Sequence, residues 1–233
     1  MSLIGFISDA HGNKRAFDHG IDILLEQGVE SIFFLGDAVG YIPSSGVLNS
    51  IEQLRTSIVC IKGNHENMLL SNKSHIANDE VYNLGVTREK MTDKDLSLIS
   101  AWSEKKTLKI GDCNVLIVHG SPSDPTNGYI YPSSDLSCFS HDADWVFTAH
   151  THRPFIRNYA GVEYVNIGSC GLPRDDGRYA SVVIFNSKIK NARIIRYSIE
   201  ESLCYYFNRY NNIHSSVKEL SFRRSNNLVG EIY

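Results

Sequence analysis

The chain reads as an α/β protein. Up to Ile61, short apolar runs alternate with stretches of helical spacing, and the links between them are short. Beyond Trp102, apolar runs of strand character follow one another, so the second half is β-rich. Strand, helix, strand with short links implies parallel pairing through a right-handed crossover, because a tight hairpin cannot join parallel strands.

Leu3–Ile7 (LIGFI) has the unbroken apolar run of a buried strand. From Asn13 to Gln27, helical spacing sets Phe17, Ile21, Leu24 and Leu25 on one face, with Asn13 as the cap and Gly28 as the stop. Ser31–Leu35 is a second strand, Gly46–Arg55 a short helix and Ser57–Ile61 a third strand. Helical spacing returns from Asn67 to Trp102, where Thr92 and Asp95 form the pattern of a capping box. KKTLKIGDCNVLIVHG predicts a hairpin turning at Gly111-Asp112, followed by a proline-bearing loop between Ser121 and Ser134. DWVFTAH is the next strand, and FIRNYAGVEYVNIG, YASVVIF and ARIIRYSI add further strand-like runs. The tail from Glu200 has the pattern of an amphipathic helix that packs through Leu203, Cys204 and Phe207. The expected division is a main domain over 1–199 and a helical extension over 200–233 packed on the same domain.

A chain of 233 residues is long enough to bury a sizeable core. Its net charge of −3 offers no basic field to recruit nucleic acid or an anionic membrane. The five cysteines are odd in number, scattered and free of any C-x-x-C pair, which excludes a disulfide framework or a cysteine-rich zinc site. Cys60, Cys113 and Cys204 sit among apolar residues, as buried thiols do. The segment MSLIGFISDAHG lacks a basic n-region and its apolar run stops at Asp9, so neither a signal peptide nor a membrane span is expected. A reduced, cytoplasmic protein is the expectation; no oligomeric state can be read.

The informative pattern lies immediately after the apolar runs. LIGFI is followed by Asp9 and His11, SIFFL by Asp37, and SIVCI by Asn64, His65 and Glu66. NVLIV is followed by His119, and DWVFTA by His150 and His152. Each has a plainer reading: Asp9 as a turn residue, Gly36-Asp37 as a turn dipeptide, Asn64 as a cap. Those readings leave unexplained why five strand ends all carry such residues, at the edge where open α/β sheets place their ligand sites. His19, His75, His141 and His214 fall in helical or loop patterns and read as incidental. In an extended chain residues i and i+2 point the same way, so His150 and His152 are expected to converge.

Two aspartates, an asparagine and four or five imidazoles exceed what one tetrahedral ion with an open position can use. They suit two ions about 3.5–4 Å apart sharing a carboxylate. Mixed oxygen and imidazole donors fit Mn, Fe or Zn, with Mn favoured. Two carboxylates against two divalent ions leave about +2 of formal charge, which favours an anionic substrate, and phosphate esters are the natural candidate.

D-x-H, G-D, G-N-H-E, H-G and H-T-H, in this order between Leu3 and Ile199, resemble the calcineurin-like metallophosphoesterase superfamily. NIGSCGLPRDDGRYASVVI is similar to the segment after the last histidine pair in its small single-domain phosphodiesterases. The resemblance implies a four-layer αββα sandwich of two mixed β-sheets flanked by helices. It implies that Asp9, His11 and His152 hold one metal and Asn64, His119 and His150 the other, with Asp37 bridging. His65 would protonate the leaving group while a metal-bound hydroxide attacks phosphorus. Ala149 replaces the usual glycine before the final pair, and Gly40 and Tyr41 stand where the phosphoprotein phosphatases carry an aspartate–arginine pair. With that arginine missing, phosphodiesters, including nucleotide-derived ones, are favoured. Phosphomonoesters, a pyrophosphate bond, or a non-catalytic scaffold like the retromer subunit of this fold are the alternatives. Arg174 is expected either to supply a cation or to pair with Asp175 or Asp176.

Overall fold

The computed structural model describes residues 3–54, 57–71 and 78–233. Its first half contains β1 (Leu3–Ile7), α1 (Lys14–Glu26), β2 (Ser31–Phe34), α2 (Gly46–Gln53) and β3 (Ser57–Cys60). Four short helices follow: α3 (Asn64–Leu70), α4 (Asp79–Tyr82), α5 (Leu84–Glu89) and α6 (Asp93–Ser100). The β-rich part comprises β4 (Lys105–Ile110), β5 (Cys113–Val118), β6 (Trp145–Thr148), β7 (Phe155–Tyr159), β8 (Val162–Asn166), β9 (Tyr179–Asn186) and β10 (Asn191–Ser198). The tail forms α7 (Glu200–Arg209), α8 (Ser215–Lys218), a 3-10 turn at Glu219–Phe222 and β11 (Glu231–Ile232).

Two mixed sheets result. The first has the order β11-β10-β9-β1-β2-β3. Its β1, β2 and β3 are parallel, as the short strand–helix–strand links require, while β9 lies antiparallel beside β1. In the second, β4-β5-β6-β8-β7, the three central strands are parallel and hairpins close both ends. Ile110 faces Cys113 across the expected Gly111-Asp112 turn.

The central strands β1, β2, β6 and β9 are mostly apolar because both their faces are covered, while the edge strands β4 and β7 carry exposed polar residues. On β9, Val183 and Phe185 point into the space between the sheets, while Val182 and Ile184 point to the helices. Between the sheets, Phe6 stacks on Phe147 with ring centroids 3.9 Å apart and on Phe33 at 5.4 Å. Phe17 and Leu24 of α1, Val47 and Leu48 of α2, and Leu203 and Tyr206 of α7 cover the first sheet's outer face. Ile130 and Leu136, from the loop before β6, cover the second.

Asn13 caps α1, its side chain accepting from the Ala16 N–H at 3.2 Å, and the Thr92–Asp95 box opens α6. The region from Asn67 to Trp102 is not one helical run. Asn78 and Asn83 adopt left-handed backbone, with φ of 59° and 53°, and break it into pieces. Cys204 is exposed on α7, because its neighbours Leu203 and Tyr206 take the buried face. Arg55, the expected end of the second helix, and His75 lie outside the described residues.

Candidate metal centre

Loops at the carboxyl ends of β1, β2, β3, β5 and β6 bring every expected site residue to one place. Backbone bonds tie the loops together: Asp9 N–H donates to Gly36 O at 3.0 Å, His11 N–H to Asp37 O at 3.0 Å, and Ala149 N–H to His119 O at 2.9 Å. Asp9, His11 and His152 form one group of side chains, Asp37, His119 and His150 a second, and His11, Asp37 and His65 a third that overlaps both, each with donor atoms within 4.8 Å of one another. His152 Nε2 lies 3.1 Å from Asp9 Oδ1 and 3.0 Å from His11 Nε2. His119 Nε2 lies 3.1 Å from His150 Nδ1 and 3.3 Å from Asn64 Oδ1. One oxygen, Asp37 Oδ2, reaches both groups, 3.7 Å from His11 Nε2 and 3.4 Å from His119 Nε2.

His150 and His152 reach the same centre but enter different groups, and not through extended spacing. The strand ends at Thr148, and both histidines have left-handed backbone, with φ of 63° and 55°. Asp9, His11 and Asp37 share that conformation, so five of these residues hold a backbone that costs about 1–3 kcal/mol each outside glycine. Gly63 is required by close approach: a Cβ there would lie 2.1 Å from Asp37 Oδ1. Ala149 is fully buried in the inter-sheet core, so the methyl group is accommodated.

The ring nitrogens show which atoms these side chains turn toward the centre. His11 Nδ1 faces Val39 O at 3.3 Å, His119 Nδ1 faces Leu35 O at 2.6 Å, and His152 Nδ1 faces Leu172 O at 2.5 Å. A carbonyl only accepts, so each Nδ1 carries a proton and each Nε2 faces inward, with a free lone pair on the neutral rings and on His119 once its second proton leaves. Lone pairs on His11 and His152 then meet at 3.0 Å, which repels unless a cation lies between them. Asp9 Oδ1, His65 Nδ1 and His150 Nε2 are buried here without a hydrogen-bond partner. This donor set fits divalent metal, and the carbonyl partners orient the rings as second-layer contacts do in metal sites.

Electrostatics agree. Burial would raise the Asp37 carboxyl, but His119 and His65 outweigh it and hold it well below the usual carboxylate range. Asp9 is lowered likewise, His152 and His119 outweighing burial. Burial would lower His119, yet Asp37 and Asp9 raise it to about 10. Burial pushes His150 down to about 3 with help from His119, and His152 to about 4 with help from Arg174. His65, at the rim 4.0 Å from Asp37 Oδ2, is lowered by burial to about 3.

Three kinds of residue around the centre were not among the expected site residues. Glu66 is fully buried and accepts the N–H groups of Asp37, Ala38 and Gly63, each at 2.8 Å, which sets the Asp37 loop; the last letter of G-N-H-E was its only signal. Tyr41 packs edge-on to His11 at 4.6 Å, and Tyr129 lies 4.2 Å from the His150 ring and stacks on Tyr131. Arg174 makes neither expected aspartate pair, because Arg196 takes Asp175 and Arg178 takes Asp176; its Nη2 instead donates to the Tyr41 hydroxyl at 2.9 Å.

Residues 2–189 match the calcineurin-like phosphoesterase superfamily domain. An uncharacterised protein of Methanocaldococcus jannaschii is 26% identical over 215 residues, spanning 84% of this chain and 87% of that one. A hypothetical protein of Pyrococcus horikoshii shares the fold with a TM-score of 0.81 at 19% identity, over 95% of this chain and 98% of its own. A metallophosphoesterase from Sphaerobacter thermophilus does so with 0.77 at 22% identity, over the same shares of 95% and 98%. The chain belongs to the calcineurin-like phosphoesterase superfamily, which implies a metal-binding hydrolase acting on phosphoesters. Among the described residues no helix is long and apolar enough to cross a membrane.

Proposed function

We propose that the protein is a dinuclear metal-dependent phosphodiesterase acting on nucleotide-derived esters. The observation that carries the reading is the pairing of inward-facing ring nitrogens, His11 with His152 and His119 with His150, on either side of the Asp37 carboxylate. Asp9, His11 and His152 would hold one ion, Asn64, His119 and His150 the other, and Asp37 both. Two divalent ions there, Mn favoured, would supply an activated water and neutralise charge on a phosphoryl group.

His65 stands beside the ligands, close to His11 and Asp37, and is not needed to complete either ion's ligand set. As a neutral imidazole it still carries one N–H, enough to hydrogen-bond the leaving oxygen, and an anionic phosphoryl group beside it favours its protonated form. That makes it the proton donor. The exposed, stacked Tyr129–Tyr131 pair next to His150 is a surface on which a flat base can lie, which supports a nucleotide-derived ester.

A phosphomonoester is the second reading, favoured by Arg174, whose guanidinium reaches the Tyr41 hydroxyl beside His11. The ratio of kcat/KM for bis-p-nitrophenyl phosphate and p-nitrophenyl phosphate on one Mn-loaded preparation separates the two. Asp37→Asn should lower turnover of bis-p-nitrophenyl phosphate by about a hundredfold or more, since it weakens both ion sites. Full turnover in that variant, or none in the wild type with any of Mn, Fe or Zn, defeats the proposal.

A further inference from the structure

The metal ligands account for one phosphoryl group, but not for the cations next to them. Against Tyr41 opens a cavity of about 350 Å³, also lined by Arg153, Arg174 and Arg223. The three arginines arrive from separate segments: Arg153 directly follows His152, Arg174 lies in the loop between β8 and β9, and Arg223 comes from the tail. A backbone bond ties Arg174 to the centre, and the Arg223 side chain is tied to Arg174. Arg174 N–H donates to His152 O at 3.1 Å, and Arg223 Nη1 donates to Arg174 O at 3.1 Å.

Among the described residues, no carboxylate forms a salt bridge with Arg153, Arg174 or Arg223, and Asp175 and Asp176 are engaged by Arg196 and Arg178. Burial and repulsion from Arg153 and Arg174 lower the Arg223 pKa, as expected of uncompensated like charges. Arg153 and Arg174 are half-buried and Arg223 is exposed, so water screens part of their repulsion; an anion joining them would relieve the rest, and their planar forks fit phosphate oxygens. Tyr41 lies between this cavity and His11, so a ligand here and a phosphoryl group at the metal ligands are neighbours.

We propose that this cavity is a second anion subsite, so that the substrate is a phosphate ester bearing another phosphate besides the one being cleaved. This rests on the phosphoesterase reading of the metal centre and names the substrate class more closely. It also gives the C-terminal segment, through Arg223, a part in substrate selection.

Two measurements test it. Metal-free protein is titrated with inorganic phosphate while its Tm is followed. A saturable rise is expected in the wild type, with most of it lost in the double variant R153Q/R223Q. Next, Mn-loaded protein is given thymidine 5′-(p-nitrophenyl phosphate) with and without a 3′-phosphate. The 3′-phosphate should raise kcat/KM about tenfold or more, and Arg223→Gln should shrink that ratio toward one, as expected for loss of a charge-assisted contact. A phosphate response that survives both substitutions, or a 3′-phosphate that brings no advantage, overturns the proposal. If neither ester is hydrolysed, the metal-centre reading fails, and the metal-free titration alone decides the subsite.

Discussion

Gly63→Ala tests the centre through one added carbon. Gly63 has φ −95° and ψ −176°, which alanine adopts freely, so any effect comes from contact and not from backbone strain. The new Cβ would stand 2.1 Å from Asp37 Oδ1 and 2.7 Å from Asp37 N, where ordinary contact begins near 3.4 Å. Asp37 must retreat by about 1.3 Å, yet its N–H is held by Glu66 at 2.8 Å. A misplacement of about 1 Å in a reacting constellation costs about a hundredfold in rate. Overpacking costs about 1–3 kcal/mol of stability, or roughly 2–12 °C in Tm for a chain of this size. The assay is kcat/KM on bis-p-nitrophenyl phosphate in Mn-loaded protein, with Tm alongside. Gly28→Ala is the control: its Cβ meets nothing within 4 Å but its φ is 78°, so it should lose about 1 kcal/mol of stability and no turnover. A Gly63→Ala protein that keeps more than half its kcat/KM refutes the reasoning.

Two further outcomes follow from the same geometry. His65→Ala should lower kcat by about 10²–10⁴-fold while elemental analysis finds the wild-type metal content, because His65 donates a proton and binds no ion; lost metal would instead make it a ligand. Metal affinity should rise with pH. His119 sits at about 10 while His150 and His152 sit at about 3 and about 4, so near neutral pH one ligand proton must leave for metal to bind. Apparent affinity should climb about tenfold per pH unit through neutrality, levelling off above the His119 value, and calorimetry in buffers of different ionisation enthalpy should find about one proton released. A pH-independent affinity contradicts this.

Local signals in the sequence were reliable where chemistry is local. The LIGFI run, the Asn13 cap, the Thr92–Asp95 box and the Gly111-Asp112 turn all follow from neighbours in the chain, and the structure has each of them. The site residues were visible for a related reason: they stand at strand ends, where an α/β sheet gathers its loops. Less visible was how they converge. The left-handed backbone at His150 and His152 is imposed by tertiary contacts such as the bond from His150 N–H to Asp9 Oδ2 at 3.3 Å, which no local pattern announces. The pairing of β9 with β1, the arrival of Tyr129 over His150, and the meeting of Arg153, Arg174 and Arg223 all join segments far apart in sequence. Arg174 is instructive. Beside two aspartates in sequence, it could equally have been paired or free to supply a cation, and Arg196 and Arg178 occupy both aspartates.

Counting manganese at saturation addresses the central claim most directly, by equilibrium dialysis of chelator-stripped protein followed by electron paramagnetic resonance. Two ions per chain with the coupled spectrum of a carboxylate-bridged pair are predicted, falling to uncoupled or lost ions in Asp37→Ala. Saturation at one ion or none, or an Asp37→Ala spectrum identical to the wild type, would contradict it.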